Sequence, residues 1–188
     1  MVSDIICPWC YIGKLRLQKA IAITYNQDKV KLSYRPHILY PDIPREGKEA
    51  KKSTSLKHVK SELESAAEEL GASFDLRSIT RIPQTRPIHD VLMRLDPNTA
   101  WQMKEKLFIA YFGEGQDLSD EAVLTRLFEQ EGLSYSPRED ATIDDLIQEN
   151  RMLGISAVPT FILKDDITIT GAQPVDRWVT YLGKTLGL

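Results

Sequence analysis

The chain has 188 residues, 42% of them apolar and 27% charged, the makeup of an ordinary globular protein with one sizeable core, which excludes disorder, collagen and fibre. Its 24 Lys and Arg against 27 Asp and Glu leave a net charge of −3, so there is no electrostatic footprint for nucleic acid or an anionic membrane. No apolar run approaches the ~18 residues of a membrane span, and the first ten residues lack a charged leader and a long apolar stretch, so the expected location is cytoplasmic.

Residues 2–6 predict a short strand running into Cys7-Pro8-Trp9-Cys10, after which Gly13, Leu17, Ala20 and Ile21 recur at helical spacing. Residues 30–34 alternate as a second strand that Pro36 ends, giving a β-α-β opening and a parallel pair. From 37 to 141, after a loop marked by Pro41, Pro44 and Gly47, helical patterns follow one another without a convincing strand. Leu56, Val59, Leu63, Ala66, Ala67 and Leu70 share one face of the first helix, which Gly71 caps. A second helix opens at Pro87 and ends near Asp96-Pro97. A third, from Asn98, carries Met103, Leu107, Phe108, Tyr111 and Phe112, and a fourth, capped by Ser119, carries Val123, Leu124, Leu127 and Phe128.

Thr142 with Asp145 is close to a capping box for a helix that buries Ile143, Leu146, Ile147 and Leu153 and closes at Gly154. Residues 160–163 and 167–170 then form an antiparallel hairpin about Lys164-Asp165-Asp166. A last helix starts at Pro174 and buries Val175, Trp178, Val179, Leu182 and Leu186. The expected fold class is therefore α/β. Residues 1–36 and 142–188 would form a thioredoxin-like, four-stranded mixed sheet flanked by helices, and 37–141 a large all-helical insertion.

The only cysteines are Cys7 and Cys10, which makes a disulfide framework impossible and a local redox pair the main chemical clue. Disulfide exchange needs one thiolate to attack and a second thiol to resolve the mixed disulfide. At a helix start, unpaired N–H groups and the positive end of the dipole favour a thiolate at the first position, while the second is held one turn further in. Cys7 is thus the expected nucleophile and Cys10 the resolver; Pro8 suits the first helical position. A zinc site would need four ligands, and His37, His58 and His89 have no helpful spacing, so no metal is expected. Val158-Pro159 opens a strand; a trans proline is its ordinary reading, and a cis bond is the alternative that frees the Val158 backbone for an extended substrate.

Three segments, Cys7-Pro8-Trp9-Cys10-Tyr11-Ile12-Gly13-Lys14, Ala157-Val158-Pro159-Thr160-Phe161 and Thr170-Gly171-Ala172-Gln173-Pro174, together resemble the DsbA superfamily, more specifically its cytoplasmic FrnE-like branch. Ala110-Tyr111-Phe112-Gly113-Glu114-Gly115 extends the likeness over nearly the whole chain. The resemblance implies a thioredoxin fold with a helical insertion, a redox-active Cys7 and Cys10, and a cis Pro159 beside them as the third catalytic element. Two features depart from the branch: only six residues precede Cys7, so the first strand looks trimmed, and Ala157 stands where Gly is common.

The same superfamily contains 2-hydroxychromene-2-carboxylate isomerases and kappa-class glutathione transferases, which typically place Ser at the first motif position. A glutathione-dependent isomerase or transferase is accordingly the alternative to a thiol–disulfide oxidoreductase, and a peptide-binding module with incidental cysteines is a third reading. Substrate contacts are expected from Pro8, Trp9, Val158, Thr160, Gln173 and, from the insertion, His89. Expected partners are proteins or small molecules with thiols and disulfides, including glutathione as co-substrate; no resident cofactor is expected, and the sequence leaves a homodimer open. Asp4 is expected to hydrogen-bond the adjacent backbone, and Trp101, Phe108, Tyr111 and Phe112 to be core.

Overall fold

The computed structural model describes residues 1–50, 57–138, 142–164 and 167–187, without the side chains of 57–60. The opening is β1 (Val2–Ser3), α1 (Pro8–Ile23) and β2 (Arg35–Pro36), with β1 and β2 parallel. The chain returns to the same sheet with β5 (Thr160–Ile162) and β6 (Thr168–Thr170), an antiparallel pair whose first strand lies antiparallel to β1. The sheet order is β2-β1-β5-β6. α7 (Val175–Leu186) packs against α1, burying Trp178 and Leu182 completely or nearly so.

Between β2 and α6 (Thr142–Met152) lie β3 (Lys48–Glu49), α2 (Lys57–Glu68), β4 (Arg81–Ile82), α3 (Arg86–Met93), α4 (Pro97–Phe108) and α5 (Glu121–Glu129). Asp96 caps α4 by accepting from the N–H groups of Asn98 and Thr99, both at 3.1 Å; these are two of the donors that a helix start leaves without a partner. α4 then loosens into a π turn, Ile109–Gly113, where the Glu114 N–H reaches back to the Ile109 carbonyl at 3.0 Å. One core joins the two parts of the chain, with Ile5, Tyr11, Leu17 and Trp178 in contact with the cluster that holds Leu107, Phe108, Phe112 and Phe128. Tyr11 of α1 stacks on Phe108 with centroids 5.1 Å apart, and Phe74 on Phe112 at 4.8 Å. The aromatic stripe Trp101, Phe108, Tyr111 and Phe112 is buried core.

Several elements differ from the sequence expectation. The insertion is not all-helical: β3 and β4 form a two-stranded antiparallel ladder, too short and too polar to show a period. The second strand is Arg35–Pro36 rather than 30–34, because β1 pairs only along Val2 and Ser3; Pro36 is tolerated inside it since β2 is an edge strand that needs no outward N–H. Asp120, not Ser119, caps α5, accepting from the Ala122 N–H at 2.9 Å, while Ser119 is tied to Asp117. Leu153 lies past the end of α6 and is exposed. The expectations for Leu56, the side chain of Val59 and the turn at Asp165 and Asp166 fall outside the described residues. Among those residues no helix is long and apolar enough to cross a membrane.

Candidate active site

Cys7 is the N-cap of α1, in extended conformation with Pro8 as the first helical residue. Its Sγ accepts the Cys10 N–H at 3.3 Å, and its carbonyl accepts from Cys10 and Tyr11 at 3.0 and 3.3 Å. A sulfur in this position meets the free donors and the dipole of the helix at once. Cys7 retains 5% of its surface and Cys10 none, so only Cys7 can be reached from outside. Both are free thiols. Burial pushes the Cys10 thiol well above its ordinary value of 9.0, and the neighbouring Cys7 adds to this; the charge of Lys104 and the Asp4 backbone N–H act the other way.

The loop before β5 arrives from the other end of the sequence. The Val158–Pro159 peptide bond is cis, and the Cys7 thiol points at the Val158 carbonyl, 3.9 Å away. What lets α1 approach this loop is Gly13: a Cβ there would stand 3.1 Å from Pro159 Cγ and 3.2 Å from the Phe161 ring. Arg16 closes the same contact by donating to the Ala172 carbonyl at 2.7 Å. Beside the dithiol, Trp9 is half-buried and lines a cleft of about 400 Å³ with Arg16 of α1 and with Ser65, Ala66 and Glu69 of the α2 region.

Asp4 anchors the turn between β1 and α1. Its carboxylate accepts the Ile5 and Leu39 N–H groups, both at 2.7 Å, and lies 3.2 Å from His89 Nε2. Burial works against that carboxylate, but the hydrogen bond and attraction of His89, with the Leu39 N–H, outweigh it and hold the pKa below 3.8. Burial depresses His89 below 6.5, against the hydrogen bond and charge of Asp4, which raise it.

Two buried lysines went unnoticed in the sequence. Lys14 is fully buried, ion-paired with Glu105 and 4.6 Å from the centre of the Trp101 ring. Lys104 retains 1% exposure, donates to the Ser3 carbonyl at 3.4 Å and to Ser3 Oγ, and lies 4.2 Å from the centre of the Tyr34 ring. Burial lowers its pKa to about 8, against the pull of Cys10, Asp4 and Cys7. The signal was present: Lys104 falls on the same helical stripe as Ala100, Leu107, Phe108 and Tyr111, all of them buried.

The structure therefore brings together Cys7, Pro8, Trp9, Cys10, Val158 and Pro159. It sets two expected contact residues apart. His89 is fully buried behind Asp4, so it faces the interior and not a groove. Thr160 is 2% exposed, with its hydroxyl donated to the Ala157 carbonyl at 2.7 Å, and its place is inside the sheet. Gln173 is half-buried, and both ends of its amide are engaged near its own loop, with the Thr170 carbonyl at 2.7 Å and Arg177 at 3.3 Å. Among the described residues no three His, Cys, Asp or Glu side chains gather as metal ligands would.

Sheet order, helix-start dithiol and adjoining cis-proline loop together define a thioredoxin-like protein with a helical block inserted after its second strand. The DSBA-like thioredoxin domain matches residues 1–183, and the chain belongs to that family. An uncharacterized protein of Bacillus subtilis, YwbO, is 27% identical over 185 residues, covering 93% of this chain and 90% of the relative. A probable DsbA oxidoreductase of Streptomyces coelicolor superposes with a TM-score of 0.82 at 24% identity, covering 99% of this chain and 88% of its own. A cytosolic disulfide reductase of Pseudomonas aeruginosa, DsbM, solved with glutathione, gives 0.67 at 19% identity, covering 100% and 98%. At these identities the solved structures speak for the fold.

Proposed function

We propose that the protein is a cytoplasmic thiol–disulfide oxidoreductase that exchanges disulfides with protein or small-molecule thiols through Cys7 and Cys10. The observation that carries this is the placement of the Cys7 sulfur. It caps α1, accepts the Cys10 N–H at 3.3 Å and faces the Val158 carbonyl of the loop before β5. In the reducing direction the Cys7 thiolate attacks one sulfur of a substrate disulfide, forming a mixed disulfide and releasing the other sulfur as a thiolate that takes up a proton. Cys10 then loses its proton and attacks Cys7 Sγ, expelling the second substrate thiolate, which is protonated in turn. Two electrons pass to the substrate, and Cys7 and Cys10 end as a disulfide; the reverse sequence oxidises a dithiol.

The Val158 N–H and carbonyl are the groups on which an extended substrate would lie, since that N–H has no partner among the described residues. Pro159 holds this loop against Gly13, and Trp9 supplies an apolar face to a cleft whose other lining is mainly polar, with Arg16, Ser65 and Glu69. The redox pair carries the electrons, so no resident cofactor is required. Glutathione is a fitting co-substrate, a reading supported by the glutathione-bound cytosolic relative, whose name also supports the cytoplasmic location.

The test compares single-cysteine variants with glutathione disulfide as the probe. Cys10→Ser should accumulate a glutathione adduct on Cys7 detectable by mass spectrometry, Cys7→Ser should form none, and only the wild type, starting reduced, should release two glutathiones per chain and end with a Cys7–Cys10 disulfide. Glutathione release retained in Cys7→Ser would contradict the reading and move glutathione-dependent isomerisation forward.

A further inference from the structure

β1 is a middle strand of its sheet, yet its ladders are short. It meets β2 through Val2 and Ser3 and β5 through Val2 alone, while the two neighbouring edges run on past it. On the β5 side, the Gly171 N–H reaches the Pro159 carbonyl at 2.7 Å and the Leu163 N–H reaches the Ile167 carbonyl at 2.8 Å, with Phe161 opposite Ile169 between them. Antiparallel backbone alternates in direction, so Thr160 and Ile162 turn their N–H and carbonyl groups away from β6. Thr160 meets Val2 there, and Ile162 has no ladder partner in β1. On the β2 side, Ser33 gives its carbonyl to the Met1 amine at 2.9 Å, but the N–H groups of Ser33 and, two residues back, of Lys31 have no partner among the described residues. Residues 30–34 are the segment whose alternation reads as a strand, and Val30 opens it in extended conformation.

A cavity of about 280 Å³ lies between these two edges, walled by residues 29–33 on one side and 161–164 on the other, with Leu17 of α1 and Trp178 and Leu182 of α7 as apolar lining. The edges flank one strand position, two spacings of about 4.8 Å across, which admits a single extended chain. The charged residues among its described lining are Lys29, Lys31 and Lys164. All three are exposed, and none has an ion-pair partner among the described residues. None of these residues lines the Trp9 cleft.

We propose that this cavity is a strand-addition site for an extended peptide of a partner protein, one whose apolar side chains alternate with acidic ones. When a peptide joins a sheet edge, main-chain hydrogen bonds give affinity and alternate side chains give specificity; here two edges are offered to the same chain. The apolar side chains meet Leu17, Trp178 and Leu182, and the carboxylates complement the three lysines at the rim. A small molecule fits less well, because the volume is below the roughly 300–1,000 Å³ of ligand pockets and the polar groups on offer are strand amides and carbonyls rather than convergent side chains. The inference stands apart from the dithiol chemistry, and its failure would leave that reading untouched.

The probe is the peptide acetyl-Val-Glu-Val-Glu-Val-amide, titrated into the 188-residue chain while NMR follows the backbone amides. Half-saturation is expected at about 1 mM or below, with the amide signals of Lys31, Ser33 and Ile162 shifted and their hydrogen exchange slowed about tenfold or more. The same peptide with Lys in place of Glu should bind about tenfold more weakly, the worth of two exposed ion pairs. With Pro at its centre the peptide should also bind about tenfold more weakly, because a strand paired on both sides uses every N–H. Lys31→Glu combined with Lys164→Glu, both at exposed positions, should invert the preference, so that the Lys peptide binds better than the Glu peptide. No saturation up to about 10 mM, shifts confined to other parts of the molecule, or a preference that the double variant leaves unchanged would overturn the proposal. So would amides already protected in the free protein. Protection at every protein concentration would mean that the chain closes its own edges, and protection that appears only with dimerisation would make a second copy the occupant.

Discussion

Cys7, Cys10, Val158 and Pro159 stand on the sheet frame, at the start of α1 and ahead of β5, whereas the buried Lys104, the Glu105 partner of Lys14 and the α2 side of the Trp9 cleft come from the helical insertion. The first set has to be of particular residue types, since only sulfur exchanges disulfides and only proline makes a cis bond readily accessible. The second set has to supply charge, shape and dryness, which many residue types could provide from many places in the chain. The difference teaches that the reacting atoms are announced by short motifs, while their electrostatic surroundings are set by depth in the fold.

The sharpest way to break this division is at the buried strap between the two regions, where His89 of α3 meets Asp4 next to β1. His89→Ala should cost about 3 kcal/mol, because it strips a buried carboxylate of its side-chain partner. The cost should also depend on pH. His89 titrates below 6.5 when folded, so its burial weakens the wild type as pH falls through 6.5; Asp4 titrates below 3.8, so its contribution is present above that value and lost beneath it. The wild-type advantage in urea denaturation should therefore narrow steadily from pH 6.5 downward, and a gap that widens would show that the strap is not the source.

Within the frame, Gly13→Ala should destabilise by about 1–3 kcal/mol, as over-packing does, by driving a Cβ to 3.1 Å from Pro159. It should also slow exchange with glutathione disulfide, through displacement of the loop that faces Cys7. Unchanged melting and unchanged kinetics would mean that α1 does not fix that loop. The smallest effect is expected at the exposed strap between the regions, Arg86 of α3 with Asp144 of α6. Arg86→Ala should move stability by about 0–1 kcal/mol, the usual worth of a surface ion pair, and a substantially larger loss in a thermal melt would give that contact more weight than its exposure allows.

Legibility in the sequence follows the same division. The frame could be read because its elements carry local signals: the helix start at Pro8, the hairpin of β5 and β6, and Pro174 ahead of α7. Cys7 and Cys10 were legible through the chemistry they imply. The cis bond at Val158–Pro159 was not evident from the residues alone, where trans was the ordinary reading, and came through resemblance. β3 and β4 escaped because two-residue charged strands have no period. Thr160 looks accessible in sequence because it follows the Val158-Pro159 pair, and His89 came forward as a groove contact only through resemblance, a packed or surface histidine being its ordinary reading; the fold uses both to satisfy buried polar groups, the Ala157 carbonyl and the Asp4 carboxylate. Lys104 was overlooked although its spacing placed it on a buried stripe, because a lysine there conflicts with the expectation that charge stays in water.

The most direct test of the dithiol reading is the reduction potential of the Cys7–Cys10 couple, measured by equilibration in glutathione buffers while mass spectrometry follows the two-hydrogen change. The arrangement of a capping thiol and a buried resolver predicts a reversible two-electron couple between about −270 and −120 mV, the span of thioredoxin-like oxidoreductases. Failure to form the intramolecular disulfide across that range would contradict the account.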